Sequence, residues 1–85
     1  MTDTNLVRAA ELAPLIERVH GANHPELTRV REITLALQEP GSSARTAELF
    51  TELRTVTDNY TLPDGACEAF EGTYRAPEKA DATLG

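Results

Sequence analysis

The sequence predicts an all-α fold, a small helical bundle of three helices plus a short fourth. Three observations carry that expectation. Alanine, leucine, glutamate and arginine dominate residues 3–58, β-branched alternation is missing, and apolar residues recur at spacings of three and four. The 85 residues are enough for one domain. A helical domain is expected over 1–75 and a flexible tail over 76–85.

Asp3 or Thr4 can cap the first helix, because a side-chain oxygen there accepts from the free N–H groups of the opening turn. Leu6, Ala10, Leu12, Ala13, Ile16 and Val19 supply its apolar positions. Pro14 removes one backbone donor, which predicts a kink or a fresh start. Gly21 follows the last apolar residue, where a left-handed residue commonly closes a helix. The second helix opens at "NHPEL": Pro25 suits the first helical position, and Glu26 complements the positive end of the dipole. Leu27, Val30, Ile33 and Leu37 line one face, and "EPGSS" stops the helix at 39–43.

Ser42 or Ser43 can cap a third helix, expected from about Ala44 to Asn59, that presents Leu49, Phe50, Leu53, Val56 and Tyr60. The loop "YTLPDGAC" follows, with three turn-forming residues in Pro63, Asp64 and Gly65. Asp64 is then expected to cap a short fourth helix carrying Ala66, Cys67, Phe70 and Tyr74. From Ala76 the stretch "APEKADATLG" shows no periodic apolar face, hence the expected tail. A bundle lacking most of a fourth helix should leave an apolar groove bounded by Leu27, Val30, Ile33, Leu49, Leu53 and Val56, and such a groove marks an interaction surface.

A net charge of −6 and a pI near 4.7 argue against nucleic acid or anionic membrane as partners, since both need basic surface. No run approaches the ~20 apolar residues that span a bilayer. The opening "MTDTNLVRAAEL" lacks a basic segment followed by an apolar run, so a cytoplasmic location is expected. The single cysteine, Cys67, cannot form an internal disulfide. It is expected as a small buried apolar side chain, a mild redox role being the other reading.

Two stretches, "RVHGANHPELTRV" (18–30) and "LRTVTDNYTLPDGACEAFEGTY" (53–74), resemble segments of the bacterial hemerythrin-like proteins that repair iron–sulfur clusters after oxidative or nitrosative stress. The first is similar to the family's turn between helices one and two. The second is similar to its later segment, with a leucine-arginine, a Thr-Asp pair, a Tyr-Thr, a proline, then Ala-Cys and an aromatic. They occur in the family's order and cover 35 of the 85 residues. The resemblance implies a four-helix bundle and, in complete members, a non-haem di-iron centre held by histidines and bridging carboxylates.

The ligand positions that the resemblance implies are not filled. No histidine precedes His20; "ALQEPGSS" stands where a His-x-x-x-Glu run should be; Ser42, Ser43 and Ala44 replace Glu-His-Asp. Beyond Tyr74 the fourth helix's His-x-x-x-Glu is missing too. The expectation is therefore a shortened hemerythrin-like remnant, metal-free and not an enzyme. It would act by helix-mediated interaction with itself or a full-length relative. His20 and His24 read as parts of a turn, because Gly21 and Pro25 break the continuous helical face that an i,i+4 imidazole pair needs to share a metal. The alternative keeps a metal, iron or zinc, assembled between chains from His20, His24 and surface glutamates.

Overall fold

A computed structural model describes residues 4–39, 41 and 43–84. Four helices follow one another: α1 Thr4–His20, α2 Glu26–Ala36, α3 Ser43–Val56 and α4 Glu68–Leu84. Among the described residues there is no strand. Each helix packs on its chain neighbour and α4 returns to α1, closing a ring around one core. Leu6, Ile16, Leu27, Val30, Ile33, Leu49, Phe50, Leu53, Tyr60, Phe70, Tyr74 and Ala80 form that core.

The fourth helix is not short. It runs 17 residues, and residues 76–84 of the stretch expected as a tail are its second half. Ala76 and Ala80 are buried at 6 % and 0 % exposure, with Pro77 also fully buried. The small side chains that leave this stretch without a periodic apolar face are what let α4 pack closely on α1. Ala9 and Ala13 answer from α1, both fully buried, and a Cβ on Gly72 would come within 2.9 Å of Leu12 Cδ1. With α4 complete, the expected groove is closed. Leu27, Val30, Ile33, Leu49 and Leu53 are all exposed by 3 % or less, and Val56 is half-buried against them.

Several boundary expectations also change. Pro14 is accommodated inside a single α1. Val19, expected in the core, is 74 % exposed. Gly21 is not left-handed; a Cβ there would collide with the Glu17 carbonyl oxygen, so the glycine serves close approach. The capping expectations for Asp3 and Ser42 lie outside the described residues.

The α3 C-terminus stops short of Asn59 because Asp58, Asn59 and Tyr60 all have positive φ, at 51, 57 and 62°. Asp and Asn visit this region at low cost, whereas tyrosine does so at a penalty. Bonds on every side hold the turn. Thr57 Oγ1 donates to the Leu53 carbonyl (2.7 Å) and accepts from the Tyr60 N–H (2.9 Å). The Asn59 N–H donates to the Arg54 carbonyl at 2.7 Å, and Arg75 donates to the Tyr60 carbonyl at 3.2 Å.

One arginine–carboxylate pair ties each successive pair of helices. Arg31 of α2 meets Glu17 of α1 at 2.6 Å. Arg29 of α2 grips Glu52 of α3 with both Nε and Nη2. Arg54 of α3 makes two 2.6 Å bonds to Asp81 of α4, whose carboxylate also accepts from the Tyr60 hydroxyl at 2.9 Å. The Arg54 bonds hold the Asp81 carboxyl below its ordinary range, against the opposing effect of burial. A depressed carboxyl contributes stability that is present above the unfolded-state value of about 4 and lost as pH falls through the folded-state value. Urea midpoints should therefore hold from neutrality to about pH 5 and fall below it. Asp81→Asn should cost about 1–2 kcal/mol at pH 7 and flatten that acid slope. An unchanged slope in the variant would assign the acid sensitivity to other carboxylates.

Candidate functional site: the corner between the His20–His24 turn and the start of α4

The α1–α2 turn is fixed by its backbone. The His20 carbonyl accepts the N–H groups of Asn23 (3.0 Å) and His24 (2.9 Å), and the His24 carbonyl accepts that of Leu27 at 3.0 Å. Pro25 sits at the N-cap of α2 without a side-chain capping bond, and Glu26 opens the helix. Both imidazoles consequently face the same neighbour, Phe70 of α4. The His20 ring lies 5.3 Å and the His24 ring 5.6 Å from the Phe70 ring, each edge-on. Tyr74 continues the stack at 5.2 Å from Phe70. Burial first, then the nearby Glu26 charge, pushes the Tyr74 phenol up to about 12, so it stays neutral at physiological pH.

The ring nitrogens make their contacts with side chains on either side of the turn. His24 Nδ1 lies 3.2 Å from Glu26 Oε2. His20 Nε2 lies 3.5 Å from Cys67 Sγ, 47 residues away in the chain. The cysteine is exposed, contrary to the expectation of a buried apolar role. Cys67, and not Asp64, stands at the head of α4, where its carbonyl accepts the Glu71 N–H at 2.9 Å. When His20 Nε2 carries no proton the thiol can donate a hydrogen bond to it. That is the chemistry available at this corner.

The two stretches of resemblance, separated by more than twenty residues of chain, therefore meet in space. His20 and His24 come from the first; Cys67, Phe70 and Tyr74 come from the second. Phe70 as the shared platform was the residue that sequence reasoning undervalued. Its spacing to Tyr74 was legible as a helix face, but its contact with the turn was not.

The corner and the bundle interior do not fit a di-iron centre. Such a centre draws imidazoles and carboxylates from facing helices into the bundle core. Here the core is Leu, Ile, Val, Phe, Tyr and Ala, its buried polar side chains are Thr34, Thr57 and Thr73, and both imidazoles are at one end of the bundle. Glu17, Glu52 and Asp81, the carboxylates between helices, are engaged by arginines. Among the described residues no group of three or more His, Cys, Asp and Glu is arranged to hold a metal ion.

No family model matches the chain, and neither a curated protein nor a solved structure matches it. Among the described residues no helix is long and apolar enough to cross a membrane.

Proposed function

We propose that the chain is a metal-free hemerythrin-like bundle, related to the iron–sulfur cluster repair proteins and acting by protein–protein interaction in the cytoplasm. The observation that carries this reading is the corner itself. Two stretches that resemble the family separately are packed against each other through His20, His24, Cys67, Phe70 and Tyr74. They do so within a four-helix bundle whose interior is filled by apolar side chains together with Thr34, Thr57 and Thr73.

The reading is non-enzymatic, since the role proposed is contact with a second copy or a full-length relative. The groove first expected to mediate that contact is interior to the bundle, so contact has to use an outer helix face. A net charge of −6 makes nucleic acid a poor partner.

Anaerobic iron loading followed by desalting and elemental analysis tests the metal-free part. The expected result is well under one iron per chain and no visible absorption from a di-iron centre. Two retained irons per chain, lost on replacing His20 and His24 by alanine, would establish the metal-dependent alternative.

A further inference from the structure

The outer face of α1 combines features that no other described element has together. Leu15 and Val19, one turn apart, are 48 % and 74 % exposed, whereas Leu35 on α2 is an isolated exposed apolar residue at 44 %. On a helix of 3.6 residues per turn, Arg8, Glu11 and Arg18 share their stripe, on the side away from Leu6, Ala13 and Ile16. All three are exposed. Arg29, Arg31, Arg45, Arg54 and Arg75 each pair with a carboxylate. Arg8, Glu11 and Arg18 make no ion pair among the described residues. This is an apolar step flanked by uncommitted charge of both signs.

The order of those charges selects an occupant. Two α1 helices laid antiparallel across a two-fold axis between residues 14 and 15 place position 11 of one opposite position 18 of the other. Leu15 then lies against the axis, and Glu11 faces Arg18 of the partner subunit at both ends of the contact. A two-fold interface requires this self-complementarity: a patch that meets its own copy must carry its own counter-charges. A chain of net charge −6 repels its copy elsewhere, so the pairing has to be local.

We infer that the Leu15–Val19 face of α1 is a homodimer contact, with Glu11 and Arg18 exchanged between two antiparallel copies. This inference gives the interaction reading above its surface and rests on it. One helix stripe is far smaller than the interfaces of obligate dimers, which places the contact in the weak, reversible class. It adds to the bundle without changing it.

Sedimentation equilibrium at physiological salt, with reductant present so that Cys67 stays reduced, reads the contact directly. The weight-average mass should rise from 9.3 kDa toward twice that value as concentration increases, with the change falling between about 10 μM and 1 mM for a contact of this size. Leu15→Asp should hold the chain monomeric while leaving its circular dichroism and urea midpoint unchanged, since Leu15 is outside the core. Glu11→Arg alone and Arg18→Glu alone should each abolish association, because each sets like charges opposite. Mixing those two variants should restore it, with arginine opposite glutamate at both ends. A mass constant at the monomer value through about 1 mM overturns the proposal, as does association that survives Leu15→Asp or a mixture that fails to associate. Iron loading reads none of these outcomes, so failure of the dimer and failure of the metal-free reading are separable.

Discussion

Replacing Phe70 by alanine is expected to remove most of the domain's stability, about 3–5 kcal/mol for a fully buried ring. A domain of 85 residues has on the order of 5–10 kcal/mol to lose. The thermal midpoint should fall by about 15–30 °C. The cost is high because the ring is shared. It is 0 % exposed, and it meets His20, His24 and Tyr74 edge-on, so one deletion strips the core and the turn together. Phe70→Leu separates the two roles. Leucine keeps most of the volume, so its cost should be about 1–1.5 kcal/mol. The ring-current displacement of the His20 and His24 ring-proton resonances should nevertheless disappear. A melting temperature for Phe70→Ala within a few degrees of the native chain would mean that the turn does not depend on α4. Displaced His resonances that persist in Phe70→Leu would assign them to another ring.

The difference between what the sequence revealed and what it hid follows the range of the interactions. The α1–α2 turn was legible because its punctuation is local: Gly21 and Pro25 act within a few residues of the helix ends they set. The inward faces of α2 and α3 were legible too, because Leu27, Val30, Ile33, Leu49 and Leu53 are large and periodic. Their burial was foreseen only in part, because whether a face is a groove or an interior depends on another helix. That helix was hidden by its own chemistry. Ala76, Pro77 and Ala80 carry little apolar surface, and Glu78, Lys79 and Asp81 lower the local hydropathy.

The candidate corner divides in the same way. His20 and His24 were singled out from their spacing, and they flank the α1–α2 turn with His20 closing α1, but their partners depend on contacts spanning up to 47 residues. Cys67 looked like a core residue from its spacing to Phe70 and Tyr74, yet α4 begins only at Glu68 and leaves it at the exposed head of the helix. The left-handed run at 58–60 had a partial signal in Asp58 and Asn59. Tyr60 gave none, because its carbonyl and hydroxyl are held by Arg75 and Asp81, 15 and 21 residues on. Val19 shows the opposite error. It fits an apolar spacing of three from Ile16, but helix phase turns it to the outer stripe shared with Leu15.

Deleting residues 76–85 is the change that most sharply separates a tail from a helix. A tail would be dispensable, and the shortened chain would melt at the native temperature. The structure demands the opposite. Truncation removes the buried Ala76, Pro77 and Ala80 and opens the cluster that contains Leu6 and Tyr60. At ~0.8 kcal/mol per buried methylene equivalent, these losses amount to about 4–6 kcal/mol. It also takes Asp81 from Arg54 and from the Tyr60 hydroxyl, leaving the left-handed run with one fewer tether. The expected product keeps part of its helical circular dichroism but has no cooperative urea transition and binds a hydrophobic dye. Asp81→Asn in the full chain is the necessary companion, because it removes the ion pair while leaving the packing of Ala76, Pro77 and Ala80 in place. If the truncated chain unfolds no more easily than Asp81→Asn, the second half of α4 serves only to carry that carboxylate. If it loses its transition while Asp81→Asn retains one, close packing of small side chains on α1 is what closes the bundle.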